Sequence, residues 1–293
     1  MGTKLSNTAD SNLQVRKVLT EQEFHQFRFL LQNRMGLQLS DAKQGLVESR
    51  LQDVLAQWNL DSFAQLIALL SKNAQSPLYI EIVNRLTTNH TYFYRESRHF
   101  EYVEQELIPR WTWEINQGLR DRVRLWSAAC SSGEEPYTLA MIMSKYKEIR
   151  SKFRILATDL AVTPLEIANR GIYSSKALAK LPGDLAKIGV RPLPDGGEIA
   201  PHIKEKVVFR KLNLTRETYP LVTKFDVIFC RNVLIYFPQE TQRQVTRQLL
   251  AQLANEGTLI LGHTESLDRS IQAVEYVQPG VYQNRSRTQE KQR

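Results

Sequence analysis

The stretch "RLWSAACSSGEEPYTLAM" (124–141) decides the fold. A short apolar run, a turn of small residues and then an amphipathic stretch make the strand–turn–helix pattern of nucleotide-binding domains. The turn itself departs from the phosphate-binding kind. It has one glycine, Gly133, no lysine, and two glutamates, Glu134 and Glu135, where a phosphate would need to sit. Its small residues (Ala129, Cys130, Ser131, Ser132) let a ligand approach the backbone closely. Such a turn serves a polyphosphate poorly and a cationic or amine-bearing ligand better. The same residues also suit a capped helix whose glutamates are merely solvated.

Outward from this turn, "VRLWSAA", "RILATDL", "KVVFRKLNL", "FDVIFCRN" and "GTLILGH" read as strands, with helical patterns between most of them. Alternation of strands and helices implies an α/β fold with a mainly parallel, doubly wound sheet, whose ligands bind at the strands' carboxyl ends. Thr163 to Glu166 combines a capping-box pair with Pro164 at the first helical position, and that helix stops at Gly171. Pro238 opens another helix, with Val245, Leu249, Leu250 and Leu253 on one face and Gly257 past its end. Residues 174–206 interrupt the rhythm. Their turn-rich "LPDGGEIAPHIKEK" (193–206) predicts an insertion or small subdomain.

Before residue 89 the pattern is helical. Residues 1–16 read as a disordered tail. "FHQFRFLLQNRMG" (24–36) runs into Gly36 as a C-cap. "SDAKQGLVESRLQDVLAQWN" (40–59) starts at the cap Ser40 and carries Leu46, Arg50, Leu51, Val54 and Leu55 at helical spacing. Asp61 caps a third helix, and Pro77 suits the first position of a fourth. Residues 17–88 thus form a small helical domain with no catalytic constellation of its own. Residues 89–284 form the α/β domain, and 285–293 a basic tail.

Composition narrows the function classes. With 293 residues, 42% hydrophobic and 24% charged, the chain has ample material for a core. No apolar stretch approaches the roughly 20 residues that cross a bilayer, and "MGTKLSNTADSNLQ" has no apolar h-region. The expectation is a soluble, cytoplasmic protein. The net charge of +8 suggests an acidic partner, yet residues 1–90 hold nine basic and eight acidic side chains. The tail "RSRTQEKQR" alone holds four basic and one acidic. With no basic–aromatic patch, this argues for an acidic protein partner over nucleic acid. Cys130 and Cys230 read as buried reduced thiols, a catalytic nucleophile being the alternative. The histidines show no metal-ligand spacing, so no metal is expected.

Three further features carry chemistry. Asp159 ends the second strand, 26 residues after Gly133, where an acid can accept both ribose hydroxyls of an adenosine. Taken with the first turn, it supports an adenosine ligand lacking a pyrophosphate. S-adenosylmethionine is such a ligand, and its ammonium suits an acidic residue. "FDVIFCRNVLIYF" (225–237) ends a buried strand in Arg231-Asn232 and then presents Tyr236, which could face a substrate. "TTNHTYFYRESRHF" (87–100) is too dense in hydrogen-bonding and aromatic side chains for a plain linker, and its Arg95 could fork a carboxylate.

At these residues the chain resembles the bacterial chemotaxis receptor methyltransferases, the CheR family. The matching stretches, in family order, are "LTTNHTYFYRE", "RLWSAACSSGEEPYTLAM", "ATDLAVTPLEIANRGIY", Asn213-Leu214, and "FDVIFCRNVLIYF" followed by "GHTESL". The resemblance implies a helical domain followed by a Rossmann-like, S-adenosylmethionine-dependent methyltransferase domain carrying a small antiparallel β-subdomain over about residues 174–210. The implied reaction converts glutamates in the cytoplasmic part of methyl-accepting chemoreceptors to γ-methyl esters. It leaves S-adenosylhomocysteine and tunes chemotactic adaptation. By motif, the resemblance assigns cofactor contacts to Asn89, Thr91, Arg95, Glu135, Asp159, Asn213, Leu214, Arg231 and Asn232. It places Arg95 and Tyr236 beside the transferred methyl. A monomer is expected, with no membrane insertion.

One departure concerns docking. The family's best-known members have a markedly basic second helix that docks on acidic receptor helices. Here Lys43 and Arg50 stand among Asp41, Glu48 and Asp53. Two other readings compete: a cofactor-binding sensor or scaffold without transfer activity, and a methyltransferase acting on another protein or on RNA.

Overall fold

The computed structural model of the chain describes residues 16–35, 39–72, 77–86, 90–268, 271 and 274–284. Four helices come first: α1 (Glu21–Met35), α2 (Gln44–Gln57), α3 (Phe63–Lys72) and α4 (Pro77–Leu86). They bury one cluster that includes Phe24, Phe27, Leu51, Val54, Phe63 and Ile82. On α2 the buried stripe runs through Val47, Leu51, Val54 and Leu55. Leu46, expected on that stripe, is 44% exposed, because the helix turns Val47 inward instead. Gly36 lies outside the described residues. The helix after Asp61 is capped by the next residue: the Ser62 hydroxyl accepts the Gln65 N–H at 3.3 Å. Ser40 makes no side-chain cap.

The bundle is fastened to the second domain by Ala161, which belongs to the bundle's own core. Asn84 on α4 also donates to the Thr163 hydroxyl at 2.8 Å. That hydroxyl therefore does not cap the following helix, which starts at Val162 with Ala161 as its N-cap. The linker then runs into α5 (Ser97–Tyr102), which continues through a π turn (Val103–Leu107) into α6 (Ile108–Asn116). Phe100, Val103, Leu107, Ile108 and Trp111 bury this continuous helix against the sheet's core.

The α/β domain follows in the order β1 (Val123–Ala128), α7 (Glu134–Ser144), β2 (Phe153–Asp159), α8 (Val162–Arg170), β3 (Ile172–Ser174), α9 (Ser175–Leu178), α10 (Gly183–Gly189), β4 (Val190–Leu193), β5 (Gly196–Ile199), α11 (Pro201–Lys204), β6 (Val207–Lys211), β7 (Phe225–Cys230), α12 (Gln239–Gln252), β8 (Leu253–Leu261), β9 (Val274–Gln278) and β10 (Val281–Asn284). The main sheet runs β6-β2-β1-β7-β8-β10-β9. Its first five strands are parallel, and β10 is antiparallel to both its neighbours. The order therefore reverses between β1 and β7, which makes the carboxyl ends of these two strands the switch point where a ligand cleft opens. A second, antiparallel sheet, β3-β5-β4, stands apart. It ends at Ile199. β6, read as a strand from "KVVFRKLNL" although the resemblance extends the subdomain over about 174–210, pairs with β2 in the main sheet.

The last helix ends earlier than its periodicity suggests. Leu253 already pairs with Phe225 as the first residue of β8. Gly257 is no helix cap: a Cβ there would lie 3.0 Å from both the Ala254 and Phe225 carbonyls. It is the residue that lets two backbones meet at an irregular register. No helix among the described residues is long and apolar enough to cross a membrane.

The lone glycine of the first turn has a geometric cause. Gly133 is the N-cap of α7 with φ at +94°, and a Cβ there would meet Ala168 Cβ at 2.8 Å and Ala168 Cα at 3.3 Å. Gly133→Ala should lower the unfolding free energy by about 1–3 kcal/mol in a urea titration. An unchanged midpoint would contradict the close approach.

Candidate active site

A cleft of about 1070 Å³, its open mouth included, lies at the carboxyl ends of β1, β2 and β7. Thr91, Arg95, Glu135, Asp159, Asn213, Leu214, Arg231, Asn232 and Tyr236 all line it. Asn89 lies outside the described residues. The structure thus gathers into one cavity residues that the sequence spreads over some 145 positions.

Asp159 organises the first wall. Its Oδ2 accepts the Ser131 N–H at 2.8 Å and its Oδ1 the Ala161 N–H at 2.9 Å, so one carboxylate fixes the turns after both β1 and β2. Ala129 (φ 62°) and Ser131 (φ 49°) are thereby held in the left-handed region. Burial pushes the Asp159 carboxyl up, against the pull of these N–H groups. A carboxylate has about four acceptor positions, so Asp159 retains capacity for donors from the cleft. Of the two glutamates, only Glu135 lines the cavity. Glu134 takes the Ser132 hydroxyl at 2.7 Å.

Arg231 organises the second wall. Its side chain is 3% exposed. Nη1 donates to Glu135 Oε2 at 3.0 Å, and Nη2 to Glu96 Oε2 at 2.9 Å and to the Arg95 carbonyl. Its guanidinium carbon lies 5.4 Å from the Phe100 ring centre. Glu135 also accepts the Ser127 hydroxyl at 2.6 Å, and Glu96 the Asn232 amide at 3.0 Å. The two acids respond differently. Burial pushes the Glu135 carboxyl up despite Arg231. Burial acts likewise on Glu96, but the Arg231 charge and the Asn232 hydrogen bond outweigh it and hold that carboxyl below the usual range. Tyr94 (φ 61°), Glu96 (φ 56°) and Asn232 (φ 56°) are left-handed non-glycine residues at this junction, a concentration of strain typical of functional sites.

Glu96 escaped the sequence reading, and so did Glu265. Glu265 is 7% exposed and accepts the N–H groups of Asn232 (2.7 Å), Leu234 (2.8 Å) and Gly262 (2.8 Å). It thereby fixes the tight turn Leu234–Tyr236 that carries Tyr236 to the cleft. At the mouth, Arg95 Nη1 donates to the His90 carbonyl at 2.6 Å. Lys43 of the helical bundle places its Nζ 5.9 Å from the centre of the Tyr236 ring. Cys130 lines the cavity, but burial pushes its thiol, and that of Cys230, well above the ordinary range, so neither suits a nucleophile.

Glu96, His99 and His263 offer donor atoms within 4.8 Å of one another. Both Glu96 oxygens are already committed to Arg231 and Asn232, and the guanidinium charge stands beside them. Glu96 thus serves as the ionic partner of Arg231 in a clamp, and the positive charge of Arg231 disfavours a cation beside it.

Acids at a topological switch point, with no lysine among the described lining residues, suit a nucleoside without a polyphosphate, the kind of ligand bound by the S-adenosylmethionine-dependent methyltransferase class. Comparison with known proteins gives the particular family. Residues 89–282 match the model described as "CheR methyltransferase, SAM binding domain", and residues 22–87 match "CheR methyltransferase, all-alpha domain". The chain belongs to the CheR methyltransferase family. It is 36% identical to a chemotaxis protein methyltransferase of Borreliella burgdorferi over 94% of this chain and 99% of that one. Identity to the chemotaxis protein methyltransferase Cher2 of Pseudomonas putida is 33%, covering 88% and 96% respectively. For the chemotaxis protein methyltransferase of Escherichia coli it is 34%, over 86% of each chain.

The clamp carries a pH signature. His99 is 1% exposed, and burial, with the Arg231 charge, lowers its pKa from 6.5 to about 4. Between these values the unfolded chain binds the extra proton, so stability present above pH 6.5 is lost as pH falls toward 4, by up to about 3 kcal/mol from this group. His99→Gln should flatten the fall in urea-unfolding free energy between pH 6.5 and 4.5. A slope equal to that of the wild type would refute the assignment.

Proposed function

We propose that the protein methylates glutamate side chains in the cytoplasmic part of chemoreceptors, giving γ-glutamyl methyl esters and S-adenosylhomocysteine. The observation that carries this reading is the pairing of an acid-lined inner cleft with a guanidinium, Arg95, at its mouth. The inner acids suit a cationic nucleoside, and the outer cation suits an incoming carboxylate. The donor set fits the cofactor: Asp159 has acceptor capacity for ribose hydroxyls, and Glu135 faces the cavity as a hydrogen-bond acceptor for an ammonium. Leu214 and Asn213 offer an apolar face and a polar edge for adenine. Thr91, Arg231 and Asn232 complete the wall, with Asn89 assigned by family motif alone.

The bound cofactor supplies a sulfonium-activated methyl group. The glutamate substrate is already ionised at pH 7, its reference pKa being about 4.3, and already nucleophilic. Neither partner requires a general base or a Lewis acid, so no metal enters this reading. What the chain must supply is alignment and exclusion of water from the carboxylate. Arg95 holds the carboxylate as a planar fork, and Tyr236, fixed through Glu265, sets its approach. The enzyme acts as a cytoplasmic monomer on a protein partner, without inserting in the membrane and without nucleic acid. A cofactor-holding module with no transfer activity is disfavoured, because Tyr236, held at the cleft through Glu265, serves nothing in such a protein.

Incubation with methyl-labelled cofactor and membranes containing the cell's receptors should place base-labile label on receptor bands. Arg95→Ala should lower kcat/KM by about 10- to 100-fold, the loss expected from misplacing one reactant. Wild-type protein that leaves receptors unlabelled, or an Arg95→Ala variant of undiminished rate, would sink this function.

A further inference from the structure

The inserted β-subdomain sends a side chain to the cleft rim. Lys180, in the turn between α9 and α10, places its Nζ 5.3 Å from the centre of the Tyr92 ring. Tyr92 lines the cleft, and the Arg95 guanidinium carbon lies 5.8 Å from the same ring. Two cations thus share one aromatic ring at the entrance. The ring's quadrupole attracts each of them, but they repel one another, and an anion between them would relieve that repulsion. Three acids of this region are committed elsewhere: Asp184 pairs with Lys145 at 3.3 Å, Glu198 with Lys204 at 3.5 Å and Glu205 with Lys206 at 3.3 Å. Among the described residues neither Lys180 nor Arg95 has an acidic partner.

The backbone around Lys180 is pinned while its side chain is exposed. Leu181, the next residue, is buried in the main core, and its N–H donates to the Leu178 carbonyl at 2.9 Å. The Ala179 N–H donates to the Ser175 carbonyl at 3.0 Å. Beyond the turn, the Asp184–Lys145 pair ties α10 to the end of α7. A lysine held this way stays beside Tyr92 without serving the core.

We propose that Lys180 is a substrate-positioning residue. With Arg95 it forms a two-cation rim on Tyr92 that draws the acidic side chain of the protein substrate into the cleft, so the β-subdomain takes part in choosing which carboxylates are methylated. The inference rests on the glutamate-methylating function proposed above. Lys180 acts through Tyr92 and the field at the mouth, so its effect falls on substrate KM and leaves the transfer step alone.

The test is steady-state methyl transfer to receptor-containing membranes, with receptor varied at saturating cofactor. Lys180→Ala should raise the receptor KM by about two- to fivefold, the range of one exposed charge contact, with kcat unchanged. Lys180→Glu should raise it by about tenfold or more, and Lys180→Arg should restore it. These differences should shrink at about 0.5 M salt, where exposed charges are screened. Affinity for S-adenosylhomocysteine, measured by calorimetry, should match the wild type in every variant. An unmoved KM in Lys180→Glu, a loss confined to kcat, or an effect indifferent to salt would overturn the inference while wild-type receptor methylation still stood. Failure of the wild type to methylate receptors would instead overturn the parent reading, and this inference with it.

Discussion

The buried guanidinium of Arg231 is the constraint on which the site depends. An arginine removed from water costs several kcal/mol unless its donors are met, and breaking one partner of such a group strands a charge. Here Glu135 from α7, Glu96 from the linker and the Arg95 carbonyl together meet its two Nη groups, leaving Nε without a partner among the described residues. The arrangement splits the two acids, holding Glu96 ionised and pushing Glu135 toward the proton. It also holds the left-handed linker residue Glu96, while the Tyr94 N–H donates separately to the Thr138 hydroxyl at 3.2 Å.

Because its partners lie 96 and 135 residues away in sequence, the clamp closes only when the sheet and the linker are both in place. The cleft therefore follows from the finished fold. Glu265 adds a second tie of the same kind, gathering backbone N–H groups from the two loops that follow β7 and β8. Both ties serve one end: Arg95 and Tyr236 stand at fixed places around a cavity whose proposed chemistry needs only alignment. A reaction between an activated methyl group and an ionised carboxylate asks for rigid walls more than for proton transfer.

Much of this was legible because it is local. The strand–turn–helix at 124–141, the acid ending the second strand and the polar pair after the fourth carry their reading within a few residues. Glu96 and Glu265 were not legible, since an acid becomes informative only when the buried donors it answers are known, and those lie elsewhere in the chain. The end of α12 was misplaced because Leu253 fits the apolar face of a helix and the first pair of a strand equally well. Leu46 was assigned inward because neighbouring apolar positions on a helix differ by 100° of rotation, which spacing alone does not resolve among Leu46, Val47 and Leu51. Strands β9 and β10 show weak alternation, with Glu275, Tyr276 and Val277 exposed in succession, and gave no periodic signal. The helix α5 begins inside a polar linker that has no capping residue, its N-cap being the left-handed Glu96.

The most direct measurement is a calorimetric titration of S-adenosylhomocysteine into the wild type and Arg231→Lys, with hydrogen exchange of the linker amides followed in both. Lysine keeps the charge and loses the fork that bridges Glu96 and Glu135. The predicted result is a folded variant that binds at least about tenfold more weakly, with residues 94–97 exchanging faster. Equal affinity in a variant whose linker has loosened would contradict the central role of the clamp.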